Sequence, residues 1–230
     1  MRFLCIIPAR RDSKGIPGKN WKPLNGKPLI GYSIETALAC EFIDTICVST
    51  NSKDCIEIAQ NQYQLTVPFT RPEEISLDTT PSHDVLIHAI EYYENQNESF
   101  DAIVLLQPTS PYREVKFLSE CIQTFIENSN CDMVVSVNET HFNPYYNLYN
   151  ETDGFIHRSI PSNYTRRQDC PPTYVVNGSI YVISIDSIKK QPLHSFEKVK
   201  KYIIPEKYGL DLDTLEDWAK AELIFANKLN

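Results

Sequence analysis

The sequence has no pair of cysteines at Cys-x-x-Cys spacing, no stretch approaching 18 consecutive apolar residues, no internal repeat and no low-complexity tract. Each absence removes a class of protein. Without Cys-x-x-Cys, the cysteines at 5, 40, 47, 55, 121, 131 and 170 make neither a zinc ribbon nor a dithiol redox pair. Their number is odd and several sit in apolar runs such as "TICVST", which predicts buried free thiols. The lack of a long apolar run excludes a membrane-spanning helix. Only five apolar residues, "FLCII", precede Pro8, too few for the core of a secretion signal, and no small-residue cleavage site follows, so a cytoplasmic protein with no membrane partner is expected. Basic side chains are the minority, 22 against 30 acidic, and the net charge of −8 argues against nucleic acid, which needs a broad basic face. The five histidines show no metal-ligand spacing: His83 and His88 are five apart, off one helical face. No Ser-His-Asp arrangement can be assembled.

What is there reads as one α/β domain of 230 residues with a modest insertion. "RFLCIIP" (2–8), "IDTICVST" (43–50), "DAIVLLQP" (101–108) and "DMVVSVNE" (132–139) are apolar, β-rich runs without polar alternation, as expected of strands covered on both faces. Between them, "PLIGYSIETALACEF" (28–42), "SKDCIEIAQNQ" (52–62), "SHDVLIHAIEYYENQ" (82–96) and "VKFLSECIQTFIEN" (115–128) carry helical spacing. The alternation predicts an open, mostly parallel sheet flanked by helices. "NGSIYVIS" (177–184) returns as a strand, "KVKKYIIP" (198–205) as an edge strand, and "DTLEDWAKAELIFANKL" (213–229) as a closing helix. Residues 140–175, rich in Asn, Tyr and Pro and poor in periodicity, read as an arm inserted between a core of 1–139 and 176–230. In such sheets ligands lie beyond the carboxyl ends of the strands. Three polar clusters, "ARRDSKGIPGKN", "STN" and "QPTSPYR", follow strands and would share that edge.

The first cluster concentrates positive charge. From Arg10 to Lys27 there are Arg10, Arg11, Lys14, Lys19, Lys22 and Lys27 against the single acid Asp12, in a chain that is acidic overall. "GIPGKN" is two residues short of a Walker A loop and lacks its hydroxyl, and Gly-x-Gly-x-x-Gly is absent. The physics of those loops remains: Gly15 and Gly18 let backbone approach a phosphate that Arg10, Arg11, Lys14 and Lys19 can surround. "DLD" (211–213) has two readings. In extended backbone Asp211 and Asp213 project to one side and could share a Mg²⁺, whereas Asp213 with Glu216 is an acidic capping box for the last helix, and one aspartate can serve both. Ser82 opens a predicted helix, as an N-cap or as a ligand contact.

"IPARRDSKGIPGKN", "FTRPEEISLDTTPS" (69–82), "LLQPTSPYR" (105–113), "NGSIYV" (177–182) and "DLDTLED" (211–217) occur in order and together resemble the acylneuraminate cytidylyltransferases, sugar-activating nucleotidyltransferases. The resemblance spans most of the chain and implies a Rossmann-like nucleotidyltransferase sandwich with a protruding dimerisation arm at 140–175, hence a homodimer. It implies that CTP and a nine-carbon 2-keto sugar acid react, the anomeric hydroxyl attacking the α-phosphorus to give CMP-sugar and pyrophosphate, with Mg²⁺ as cofactor. Arg10, Ser13, Lys14, Lys19, Asn20, Arg71 and Ser82 would hold the nucleotide, Lys19 near the α-phosphate and Arg71 near cytosine. Arg10, Lys19 and Gln107 would serve catalysis. Gln107, Arg167 and Asn177 would face the sugar, and Asp211 and Asp213 the metal.

The match departs at Val175, where some sialic-acid enzymes of the family carry arginine; an apolar side chain there points to a different acceptor pocket, for N-acetylneuraminic acid or a deoxygenated relative such as legionaminic acid. The cousin that activates an eight-carbon acid typically has Lys-Pro where this chain has Lys19-Asn20. A metal-dependent glycosyltransferase would also use Asp-x-Asp, though usually after a mid-sheet strand, and a non-catalytic nucleotide-binding regulator would not need Lys19, Gln107, Asp211 and Asp213 together.

Overall fold

The computed structural model describes residues 1–227. In chain order its elements are β1 (Phe3–Pro8), the short β2 (Pro23–Leu24) and β3 (Lys27–Pro28), α1 (Leu29–Leu38), β4 (Thr45–Ser49), α2 (Lys53–Tyr63), α3 (Ser82–Asn95), β5 (Ala102–Leu105), α4 (Val115–Glu127), β6 (Met133–Thr140), β7 (Tyr149–Thr152), β8 (Phe155–Arg158), β9 (Thr173–Ser184), α5 (Ile185–Ile188), β10 (Val199–Ile203) and α6 (Leu215–Asn227). Positions 228 and 229 of the helix predicted from sequence lie outside the described residues.

Six strands form one sheet in the order β10-β6-β9-β5-β1-β4. β1 pairs in parallel with β4 and β5, and β6 with β10, while β9 runs antiparallel to both β5 and β6. One reversed strand therefore lies inside an otherwise parallel sheet, with β10 at the edge as expected. The unalternating apolar runs are explained by the two layers they serve. From β1, Phe3, Cys5 and Ile7 pack under α1, α2 and α4 with Ile34, Ala59 and Phe125. Leu4 and Ile6 face the other way, against Leu86, Ile90 and Tyr93 of α3. Each such aliphatic side chain contributes roughly 1.5–3 kcal/mol through burial. Cys5, Cys40, Cys47, Cys55, Cys121 and Cys131 are buried and Cys170 is partly so, all as free thiols.

Local chemistry sets the element ends. Ser52 caps α2 by accepting from Cys55 N, and Gln64 closes that helix in the left-handed conformation (φ 56°). α1 stops at Leu38, four residues short of the predicted 42, and Leu38 itself is exposed, so the helical stripe read from sequence ends at Ile34 and not at Phe42.

The inserted arm leaves and re-enters at one point. The β6–β9 ladder runs on to the pair Thr140–Thr173, so β9 begins three residues before the predicted boundary of 176. Between them β7 and β8 form a hairpin of their own, turning through Asp153 and Gly154, both at positive φ (53° and 78°). Asp-Gly is a strong hairpin signal that low periodicity in the surrounding sequence obscured.

Candidate active site

Because β1, β4 and β5 are parallel, the loops after Pro8, Ser49 and Leu105 emerge along one edge of the sheet. The loop after β1 is tied down by backbone and side chain together. Ala9 N donates to Ser49 O (2.9 Å), Arg11 N to Asn51 Oδ1 (2.8 Å), and Asn20 Nδ2 to Arg10 O (2.9 Å). The "STN" cluster thus braces the basic loop, with Thr50 donating to Ala9 O, instead of facing a ligand.

A cavity of about 350 Å³ opens at this edge. Arg10, Ser13, Lys19 and Asn20 reach it from the basic loop, Arg71 and Ser82 from the segment leading into α3, Gln107 from the end of β5, and Asp211 and Asp213 from the stretch before α6. Lys14 stands outside it, in a neighbouring cavity, and Arg167 and Asn177 line neither of the two. Arg167 is exposed on the arm with NH1 3.0 Å from His141 Nδ1. Asn177 is buried, its Oδ1 accepting from Ser136 Oγ (2.7 Å) and Ser179 N (3.2 Å) and its Nδ2 donating to Asn138 Oδ1 (3.0 Å). That amide is spent on joining β6 to β9, which gives it a scaffolding place behind the cavity wall.

Lys19 is only 8% exposed and its ammonium is already held. Nζ donates to Leu212 O (2.5 Å) and meets Asp213 Oδ1 at 3.2 Å, which ties the basic loop to the aspartate pair. The two segments are pressed together: a Cβ on Gly15 would stand 2.1 Å from Asp213 O. Ile16, Leu24 and Leu29 on one side and Leu212, Trp218 and Ala221 on the other form the apolar cluster beneath that contact.

The cap of α6 differs from the sequence expectation by one residue. Thr214 Oγ1 accepts from Asp217 N (3.2 Å), and Asp217 Oδ2 accepts from Thr214 N (3.0 Å), so the box is Thr214–Asp217 and not Asp213–Glu216. Asp213 is released from capping and turned to Lys19. The N-cap reading of Ser82 fails too: Pro81 holds the cap position of α3 without a side-chain bond, and Ser82 is the first helical residue.

Partial desolvation, then the charge of Asp213, push the Asp211 carboxyl above its ordinary range, while Thr109 donates to it and Lys19 opposes the shift. Two hard-oxygen donors on one wall, with the charge of Asp213 adding to the cost of ionising Asp211, suit a divalent cation. Among the described residues no cluster of three or more His, Cys, Asp or Glu is placed to hold a metal.

Sequence reasoning passes over Arg113. It is partly buried and meets no carboxylate among the described residues, and desolvation pushes its guanidinium down to about 10. Its NH2 donates to Gln107 O (3.0 Å), Nε to Ser179 O (2.9 Å) and NH1 to Ser33 Oγ (3.1 Å). Gln107 is pinned from the other side by Gly178, at φ 72°, where a Cβ would lie 2.8 Å from Gln107 Oε1. Arg71 is buried as well, with Nε donating to Ser76 Oγ (3.1 Å), and burial followed by the charge of Arg10 pushes it down to about 10. The site is therefore strongly cationic on one side and carboxylate-bearing on the other.

Comparisons with known proteins place the chain in a family. The family described as Cytidylyltransferase matches residues 4–223. A CMP-N,N'-diacetyllegionaminic acid synthase from Legionella pneumophila is 32% identical over 96% of this chain and 95% of its own length. A pseudaminic acid cytidylyltransferase from Campylobacter jejuni is 29% identical over 98% and 97%, and an N-acylneuraminate cytidylyltransferase from Streptococcus agalactiae 32% over 95% and 52%. A solved CMP:2-keto-3-deoxy-manno-octonic acid synthetase complexed with CTP shares the fold at TM-score 0.74 and 18% identity, covering 99% of this chain and 100% of that one. By sequence along nearly its whole length, and with a fold to match, the chain belongs to the cytidylyltransferase family.

Proposed function

We propose that this nucleotidyltransferase joins CTP to a nine-carbon 2-keto sugar acid of the N-acetylneuraminic or legionaminic type, giving the CMP-sugar and pyrophosphate. One observation carries the reading: Arg10 and Lys19 share a cavity with Asp211, Asp213 and Gln107 at the carboxyl edge of the sheet. Arg10 presents a planar fork and Lys19 a compact charge to the phosphates. Lys19, preset by Leu212 O, stabilises charge at the α-phosphate as the anomeric hydroxyl attacks and pyrophosphate departs. Ser13, Asn20, Arg71 and Ser82 hold the nucleotide, Arg71 beside the base, and Gln107 orients the acid. Asp211 and Asp213 would hold Mg²⁺, which when bound supplies charge that neutralises the triphosphate.

The names of the relatives support a nine-carbon acid, and Val175, half exposed on β9, supports an acceptor pocket less polar than one built on arginine. In a homodimer the arm would carry Arg167 towards a second copy's acceptor site. No described helix is long and apolar enough to cross a membrane, and a cytoplasmic location fits consumption of CTP.

The test is pyrophosphate release from CTP and Mg²⁺ with N-acetylneuraminic, legionaminic and the eight-carbon acid in parallel. Turnover with a nine-carbon acid is expected, falling at least about tenfold in Lys19→Ala and in Asp211→Ala. Preference for the eight-carbon acid would move the substrate class. CTP binding without turnover on any acid would leave a regulator, and transfer from a nucleotide-sugar a glycosyltransferase.

A further inference from the structure

We infer that Asp78 is an internal occupant of the triphosphate cradle, which neutralises Arg10 and Lys14 in the ligand-free chain and which an incoming polyphosphate must displace. The inference rests on reading those two cations as phosphate ligands.

The segment between Arg71 and Ser82 is anchored at both ends. Arg71 is buried and its N donates to Thr50 O (2.8 Å), and Ser82 begins α3. Between those anchors, Leu77 and Asp78 cross the basic loop as a strap. Asp78 Oδ1 accepts from Arg10 NH2 at 2.5 Å, Oδ2 pairs with Lys14, and Arg10 NH1 reaches Leu77 O at 3.4 Å. One carboxylate thus bridges two cations that lie four residues apart in sequence. The neighbouring cation Arg11 is engaged elsewhere, by Asp12 and Glu73. Both bonds hold Asp78 below the ordinary carboxylate range, Lys14 contributing first and Arg10 next.

The strap also divides space. Ser13 and Leu77 line the 350 Å³ cavity and, from their other sides, a second cavity of about 590 Å³ that Lys14, Trp21 and Asp78 complete. Without the Asp78 bridges the two would join into one trough along the loop, with Lys19 at one end and Lys14 at the other. A polyphosphate long enough to use both ends has to pass where the carboxylate stands. Leu77 is 58% exposed, an apolar side chain left in water by the strap's present position. The exchange is chemically balanced: a carboxylate offers one charge and two oxygens, a triphosphate several of each, so the ligand wins the cations and Asp78 regains them as pyrophosphate leaves.

Calorimetric titration of wild type, Asp78→Asn and Glu127→Gln with CTP and with inorganic tripolyphosphate tests this. Glu127 is an exposed acid at the end of α4 that lines neither cavity, so its variant makes the same change in net charge away from the strap. Asp78→Asn is expected to bind both probes about three- to fivefold more tightly, the scale of partly exposed ion pairs, and Glu127→Gln to stay near wild type. Weaker or unchanged binding by Asp78→Asn would mean the carboxylate merely steadies the cations, and equal gains in both variants would mean a general charge effect; either overturns the inference while the proposed function stands. If wild type and both variants bind neither probe, the reading of the loop as a phosphate cradle falls, and the inference with it. Unchanged thermal melting of Asp78→Asn checks that the strap's loss of charge has not unfolded the segment.

Discussion

Gly15 contributes nothing to the cavity but distance. Its missing Cβ lets the basic loop lie against the carbonyl of Asp213, and through that contact Lys19 meets Leu212 O and the aspartate carboxylate together. Gly15→Ala should force the loop and the aspartate pair apart, because the opposing atom is backbone and has no rotamer to yield. Displacements near 1 Å can cost on the order of a hundredfold in rate. We expect kcat to fall by at least about tenfold while the melting temperature changes little, measured by pyrophosphate release alongside a thermal scan; a normal kcat would mean that the loop adapts. At this scale the sequence was legible where charge and spacing carry the meaning. Arg10, Lys19, Asp211 and Asp213 stand out as a cationic loop and an Asp-x-Asp pair, and they share one cavity. Arg113 and Asp78 were illegible because their meaning lies in partners far away in the chain: Arg113 joins Gln107 to Ser179, and Asp78 reaches back to Arg10 and Lys14. Asn177 misleads for the same reason, since nothing local says that its amide faces Ser136 and Asn138.

Between elements, single side chains decide which edges hold. Asp132 accepts from Lys198 N (2.9 Å) and Ser187 Oγ (2.7 Å), fastening the start of the outermost strand β10 and the short α5 to the start of β6. Those bonds, the backbone one first, hold its carboxyl below the ordinary range. A carboxyl depressed in the folded state stabilises it above the unfolded value and loses that contribution as pH falls through the lower folded one. Exchange of the Val199–Ile203 amides should therefore quicken relative to the central strands as the medium is acidified from about pH 5 towards pH 3, and Asp132→Asn should show the faster exchange already at neutral pH. Equal exchange in variant and wild type at neutral pH would dismiss Asp132 as the fastener. Strands and helices were readable because unalternating apolar runs and helical stripes each match one burial pattern. Helix starts were less so: the box at Thr214–Asp217 and the one at Asp213–Glu216 differ by one position in a run of Asp, Thr and Glu, and only the backbone geometry separates them.

At the scale of the molecule, the arm leaves apolar side chains in water. Phe142, Phe155 and Ile156 are 65%, 71% and 68% exposed, more than a hairpin with no sheet behind it needs to show. If the arm is the contact of a homodimer, Phe155→Asp with Ile156→Asp should convert a dimer to a monomer in sedimentation while leaving CTP binding intact; a wild-type monomer would remove the arm from that role. The reversed direction of β9 places the arm at the active edge, since its first residue lies beside the last of β6. It also sets an order of assembly. β9 is the shared neighbour of β5 and β6, and among the described residues no other strand joins the β5-β1-β4 half to the β6-β10 half. As the chain leaves the ribosome, β1, β4 and β5 can pair with one another, but β6 waits with both of its edges open until β9 arrives some forty positions later and fills the gap from the opposite direction. During that interval a strand reading Met-Val-Val-Ser-Val is exposed and unpaired, which makes the lag between β6 and β9 the chain's moment of greatest exposure to aggregation.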